Sequence, residues 1–457
     1  MLGKTKHIHF VGIGGIGMSG MAELLFNLGF TISGSDLNES DRTKQLNSIG
    51  IDINIGHNSK EVIKSDVVVY SSAVNKTNTE ISIANQNNIP VIRRAEMLSE
   101  LLKVKSTSIA ISGTHGKTTT SSMLGAILIE ANLNPTLVIG GIVNEFGSNS
   151  MHGDGDIIVV EADEFDRTFL SLKPTIALVN NLDLEHLDCY ENLKDLQNAF
   201  IQFSNSVPFY GKICINIDHA NTEDLIELIN RPYITFGFSK KANISAQNPK
   251  YNKLNTTFDL YIQNKYIQNI ELNVPGKHNI MNALAAISIC SEIDINYNDI
   301  KNGLKKFSGV QRRFDIKYQL ENGIKLIDDY AHHPVEVQSV INAIKLGWEN
   351  RIIAIFQPHL FSRTQDFHFD FAKALFKADI IIITDIFGAR EDPIDGVSSQ
   401  IIIDDLMDLG HNMTEFIPDK SKVSNYLQQV SKDNDIIITM GAGNIWREIK
   451  NIYKALN

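Results

Sequence analysis

Residues 108–128 read SIAISGTHGKTTTSSMLGAIL, and few folds accept such a run. Ile109, Ala110 and Ile111 belong in a buried strand, Gly113 and Gly116 break it, and the residues from Thr118 onward suit a helix. A strand that turns through glycines straight into a helix opens a βαβ unit, whose sheet is parallel and carries helices on its faces. The same turn gathers backbone N–H groups at a helix N-terminus, where partial positive charge favours an anion. The order Gly113-Thr114-His115-Gly116-Lys117-Thr118-Thr119 is a phosphate loop in shortened form; the strict G-x-x-x-x-G-K-[ST] spacing would put glycine at Ile111. Lys117 is then the expected partner of nucleotide β- and γ-phosphates, and the Thr118 hydroxyl that of a Mg²⁺ ion.

A second glycine loop, VGIGGIGMSG at 11–20, follows the apolar HIHF. Gly12, Gly14 and Gly17 satisfy G-x-G-x-x-G, and Asp36 closes the next strand-like stretch, TISGSD. That is a dinucleotide fingerprint, yet its physics asks only for a pyrophosphate on a helix N-terminus beside a βαβ crevice. A nicotinamide dinucleotide and a nucleoside-diphosphate sugar both satisfy it.

Strands and helices alternate through three segments, 1–105, 106–310 and 311–457. The expected fold class is α/β with three domains: an N-terminal Rossmann-like domain, a central P-loop domain with a mostly parallel sheet, and a C-terminal Rossmann-like domain. Residues 239–274 are polar and alternate, as in TTFDLYI and KYIQNIELN, which predicts antiparallel hairpins added to the central sheet. GVQRRFD at 309–315 reads as the hinge into the third segment. Its strands run into KLIDDYAHHP, RIIAIFQPH, DIIIITDIFGARE and NDIIITMGAGN, and ligands gather at the carboxyl ends of such strands.

Carboxylates follow the phosphate loop. IIVVEADEFD brings Glu161, Asp163 and Glu164 to a strand end, and NNLDLEHLD sets His186 among Asp183, Glu185 and Asp188. Hard oxygen ligands suit Mg²⁺, and several charges close together suit two ions. The net charge of −11 excludes nucleic acid as the main partner. Cys189, Cys214 and Cys290 lie far apart without a C-x-x-C, so a reduced compartment is expected. Apolar runs such as IIIIT at 380–384 are strand-sized, which predicts a cytoplasmic chain with no membrane partner.

Taken in order, GIGGIGMSG, GTHGKTTT, EADEFD, HLD, GKHNIMNALAA, QRRFD, DDYAHHP, FQPH, SRT and GAGN resemble the Mur ligases, ATP-dependent amino-acid ligases of peptidoglycan synthesis, over essentially the whole chain. The resemblance implies that residues 1–105 bind a UDP-sugar, 106–310 bind ATP, and 311–457 close over ATP and bind the amino acid. It implies UDP-N-acetylmuramate and L-alanine as substrates, joined through an acyl phosphate with release of ADP and phosphate. ATP and two Mg²⁺ ions are the implied cofactors, and a monomer or weak homodimer the implied state.

Residue by residue, the resemblance gives Thr118, Glu161 and His186 to the metals. It gives Asn279, Asn282 and Asp329 to the adenosine of ATP, and Arg313 to its phosphates, with Arg312 the alternative one position away. Gly14, Gly15, Ile16, Gly17, Asp36 and Ser72 fall to the UDP-sugar, with Asp36 towards the uridine end. Tyr330 and His332 fall near the reacting carboxylate and alanine, and Arg363 clamps the alanine carboxylate. Lys117, Glu161, His186, Arg313, His332 and Arg363 form the catalytic set.

Relatives often carry further arginines near SRT, where this chain has Leu360 and Gln365, so alanine binding rests more on Arg363 alone. Lys194 stands too close to His186 to match the carbamylated lysine of some Mur ligases, and no carbamylation is expected. Three other readings compete: a nicotinamide-dependent dehydrogenase, which leaves GTHGKT unused; a sibling ligase adding a recycled tripeptide or a folate glutamate; and an ATP-gated binding module.

Overall fold

The computed structural model describes residues 2–457 except 58, 72, 76, 144–147, 184–188 and 390, and the side chains of Ile16, Ser59 and Asp166. Its strands form three sheets in chain order. The first is wholly parallel, in the order Asp52–Ile55, Thr31–Asp36, His7–Val11, Val67–Tyr70, Val91–Arg93. VVVY is a near-continuous apolar run, as expected where helices cover both faces of such a sheet, and HIHFV is buried from Ile8 to Val11. The strand order reverses between His7–Val11 and Val67–Tyr70, and a doubly wound sheet binds ligands at that switch point. The first glycine loop leaves the sheet there and enters the helix Ile16–Asn27.

The second sheet has ten strands. Its centre runs Lys212–Asn216, Ile176–Val179, Thr107–Ser112, Ile157–Glu161, Thr136–Val138, all parallel. The 239–274 region adds Ile244–Asn252, Asn255–Ile262 and Lys265–Leu272 as consecutive neighbours on one side. Two-residue links between these strands leave only antiparallel pairing, and Gln263 and Asn264 both take positive φ, as a primed hairpin turn requires. The block joins the sheet through a short parallel pair, Phe236 on Ile244 and Gly237 on Ser245, which the sequence pattern did not predict.

The third sheet runs Asp315–Gln319, Lys325–Asp329, Ile436–Met440, Ile352–Phe356, Ile380–Ile383, Thr414–Phe416, parallel except for the antiparallel first strand. Its three neighbouring strands ending at Asp329, Met440 and Phe356 set the DDYAHHP, GAGN and FQPH loops side by side. The chain divides into two compact units: residues 1–248, 259–270 and 281–307 form one, and residues 249–258, 271–280 and 308–457 the other. Within the first, Phe169 packs its ring 5.1 Å from Phe200 and 5.0 Å from Phe203 in a continuous buried core. No described helix is long and apolar enough to cross a membrane.

Candidate active site

The strand Thr107–Ser112 delivers the phosphate loop, and the helix Lys117–Glu130 begins at its end. Gly116 caps that helix at φ +82°, and a Cβ there would lie 2.4 Å from the Asn282 amide oxygen, so only glycine fits. Gly116 has no side chain to cap the helix, whose N-terminus carries the partial positive charge that suits an anion. Two asparagines after the strand Ile176–Val179 fix the loop. Asn181 accepts from the His115 N–H at 2.7 Å and donates to the His115 carbonyl at 3.1 Å. Asn180 donates to Asn282 Oδ1 at 3.1 Å, and Thr120 donates to the same oxygen at 3.3 Å. Asn282 thus ties its own helix to the phosphate loop. Asn279 donates its amide to the Pro275 carbonyl at 2.7 Å, fastening the loop before that helix rather than capping it.

The carboxylates after the strand Ile157–Glu161 separate in space. Glu161 accepts from the Gly140 N–H at 2.7 Å and from the Thr118 hydroxyl at 3.3 Å, and burial pushes its carboxyl above the ordinary range. Thr118 and Glu161 are hard oxygen donors side by side, which fits a Mg²⁺ ligand pair. Glu164 instead pairs with Lys117 at 2.7 Å, and Asp163 stands 3.8 Å from the same ammonium, half exposed. Asp183 lies between His115, 3.4 Å away, and His219, 3.1 Å away. His186 and Ser72 lie outside the described residues, and among those described no group of three His, Cys, Asp or Glu is set to hold a metal.

The first glycine loop is tied to its neighbours. Asp36 accepts the Gly14 N–H at 2.8 Å and the Asn38 N–H at 3.3 Å, so its carboxylate shapes the loop itself. The helix at Ile16 starts after an extended Gly15 with no side-chain cap. Gly17 makes room for a guanidinium: a Cβ there would sit 2.2 Å from Nη1 of Arg94.

In the other unit the two arginines of QRRFD part ways. Arg312, at φ +60°, directs Nε to the fully buried Asp328 at 3.1 Å and Nη2 to the Gly441 carbonyl at 2.7 Å, and lies over the rings of Tyr330 and Trp446. It therefore joins three loops. Arg313 reaches Glu336 at 3.5 Å and stands over the Tyr330 ring. Asp329 accepts the N–H groups of Phe314 and Ala331, both at 2.7 Å; burial outweighs these bonds and Arg313 and lifts its carboxyl to about 6. Burial lowers His278 to about 4, with Arg313 adding to the effect, so its imidazole is neutral at pH 7. His332 Nδ1 faces the Tyr330 carbonyl at 3.0 Å and Glu336 at 3.2 Å, which anchors the ring. Arg363 sits on the first turn of the helix Phe361–Leu375, behind Leu360 at φ +72°. Positive φ is costly for a leucine, and the Leu360 N–H bond to the Phe387 carbonyl at 3.0 Å holds the bend.

Comparison with known proteins sets this geometry in a family. Residues 7–106 match the model described as Mur ligase family, catalytic domain; 111–290 match Mur ligase middle domain; and 312–443 match Mur ligase, glutamate ligase domain. A UDP-N-acetylmuramate--L-alanine ligase of Geotalea daltonii is 44% identical over 445 residues, covering 97% of both chains. The chain belongs to the Mur ligase family. The crystal structure of UDP-N-acetylmuramate-alanine ligase from Thermotoga maritima superposes with a TM-score of 0.82 at 30% identity, covering 98% of both chains. A murein peptide ligase from Psychrobacter arcticus shares the fold, with a TM-score of 0.71 at 24% identity and coverage of 99% and 98%.

Within this Mur ligase, the residue-type signals picked out the glycine loop at 113–118 and the carboxylates of EADEFD, two of which the fold brings to Thr118 and Lys117. They missed Asn180 and Asn181, whose pairing with His115 and Asn282 spans 65 or more positions. They missed Arg94 beside Gly17; the doubled arginine in VIRRAEM was its only trace. They also missed Gln357, whose amide oxygen accepts the N–H groups of Asn444 and Ile445 at 2.9 and 3.0 Å and holds the GAGN loop.

Proposed function

We propose that this Mur ligase joins L-alanine to the lactyl carboxylate of UDP-N-acetylmuramate, with ATP as the energy source, in peptidoglycan precursor synthesis. The observation that carries the reading is identity of 44% over 97% of both chains to an enzyme of that name, on a chain whose glycine loop presents Lys117 and Thr118 at a helix N-terminus. In this reading the substrate carboxylate attacks the γ-phosphorus of ATP and ADP leaves. The alanine amine then attacks the resulting acyl carbon, and phosphate departs as the amide forms.

Each proposed role follows from chemistry the residues can perform. Lys117 and the loop N–H groups offset the charge that gathers in phosphoryl transfer. Thr118 and Glu161 would hold Mg²⁺, with His186 proposed for a second ion; bound there, Mg²⁺ neutralises phosphate oxygens. Asn279, Asn282 and Asp329 are proposed at the adenosine. Arg313 rather than Arg312 is proposed for the ATP phosphates, because Arg312 is committed to Asp328 and Gly441. Gly14, Gly15, Ile16 and Gly17 are proposed to cradle the UDP diphosphate, and Asp36 and Ser72 to serve the same ligand. His332 and Tyr330 are proposed beside the reacting groups.

Arg363 is proposed as the alanine clamp, since a guanidinium pairs with a carboxylate in a two-pronged fashion. Loss of such a charge-assisted pair is worth about 10- to 100-fold in affinity. Steady-state kinetics of Arg363→Ala should show the KM for alanine raised by about that factor, with the KM for ATP near its original value. A parallel rise in both would remove Arg363 from the alanine site.

A further inference from the structure

We infer that Glu164 is a positioning residue for phosphoryl transfer, a fixed buried carboxylate that aims the Lys117 ammonium. The inference rests on the phosphate-loop reading of residues 113–118 and adds to it a residue outside the loop. Glu164 follows the strand Ile157–Glu161 and opens the short turn of helix Phe165–Ser171. Its side chain is only 1% exposed. Its backbone is held as firmly, since its carbonyl accepts the buried Tyr190 hydroxyl at 2.7 Å and the Arg167 N–H at 3.1 Å. Tyr190 is in turn covered by the Arg167 guanidinium, and burial raises its phenol well above the ordinary range, so it remains a hydroxyl donor. The carboxylate is therefore buried and rises from a backbone held on two sides.

An ammonium has three N–H donors and no acceptor. Two of those of Lys117 are spent on short bonds of 2.7 Å, one to Glu164 and one to the Gly113 carbonyl. The third points to the Thr114 carbonyl at a long 3.4 Å. A phosphate oxygen in the loop can displace that long contact, while the two short bonds keep the side chain in place. Lysine otherwise loses much rotamer freedom on binding, and Glu164 removes that loss in advance. A neutral acceptor would serve less well, because a charge-assisted bond is shorter and stronger than a neutral one. Among the carboxylates that follow Glu161 in EADEFD, Glu164 is the one that makes the short bond to the lysine.

Glu164→Gln tests the inference in the full-length chain. Expected are a fall in kcat of about 10- to 100-fold with an unchanged KM for alanine, because the ammonium loses the short ionic bond that holds it in place. Glu164→Asp keeps the charge and should recover part of the lost kcat. Wild-type kcat in Glu164→Gln would overturn the inference. So would a fall in kcat that only mirrors loss of folded protein by circular dichroism, or one that Glu164→Asp does not relieve at all. Lys117→Ala separates the two readings: full turnover there would sink the phosphate loop itself, whereas a dead Lys117→Ala beside a fully active Glu164→Gln would sink this inference alone.

Discussion

Lys117→Ala should slow formation of ADP and phosphate by about 10³-fold or more, the largest effect expected of any single substitution in this chain. The reacting carboxylate and the triphosphate are both anionic, and a fixed cation at the γ-phosphate counts most where charge is redistributed in the transition state. The same substitution strands Glu164, a buried carboxylate whose short ammonium bond disappears. A loss of stability should therefore accompany the loss of rate, since removing one partner of a buried pair leaves an uncompensated charge. The double variant Lys117→Ala, Glu164→Gln separates the effects: its melting temperature should recover towards wild type while its activity stays lost. Turnover within tenfold of wild type in folded Lys117→Ala would contradict the account of the loop.

Arg312→Ala should destabilise the C-terminal unit by about 3–5 kcal/mol. Asp328 is fully buried, and burial already drives its carboxyl upward against the pull of Arg312 and the Thr439 hydroxyl. Without the guanidinium, the carboxylate must either stay charged in the core or take a proton, and both cost stability. Nη2 also satisfies the Gly441 carbonyl, so three loops lose their common tie. Arg312→Lys should not rescue, because a single ammonium cannot reproduce the forked contact. Urea titration of Arg312→Ala beside Arg313→Ala reads the difference: the first should unfold at markedly lower denaturant, the second close to wild type but with weakened ATP use. A stability within about 0.5 kcal/mol of wild type, the range of an ordinary surface change, would show that Arg312 is not the strut described.

What could be read from the sequence was what local order encodes. A glycine pair between a strand and a helix needs no distant partner to be recognised, and the structure places both loops at strand ends as expected. Runs such as IIIIT and VVVY announced parallel strands because burial on both faces leaves no polar alternation. Choices among equal neighbours were not encoded locally. QRR offers two arginines, and only the position of Asp328 and Gly441 assigns Arg312 to the framework. EADEFD offers several carboxylates, and only folding sends Glu161 to Thr118 and Glu164 to Lys117. Asp36 has the spacing of a ribose ligand, yet its nearest partner is the Gly14 N–H, 22 positions earlier. Asn180 and Asn181 look like ordinary loop residues until the fold brings His115 and Asn282 against them.

The central claim is the identity of the amine that receives the activated carboxylate. Phosphate release with ATP, Mg²⁺ and UDP-N-acetylmuramate tests it, with L-alanine, L-serine, glycine and the L-Ala-D-Glu-diaminopimelate tripeptide compared as acceptors. L-alanine should support the fastest turnover, the tripeptide none, and omission of either the sugar nucleotide or the amino acid should return the rate to background. Turnover with the tripeptide alone would make the chain a recycling ligase and contradict the account.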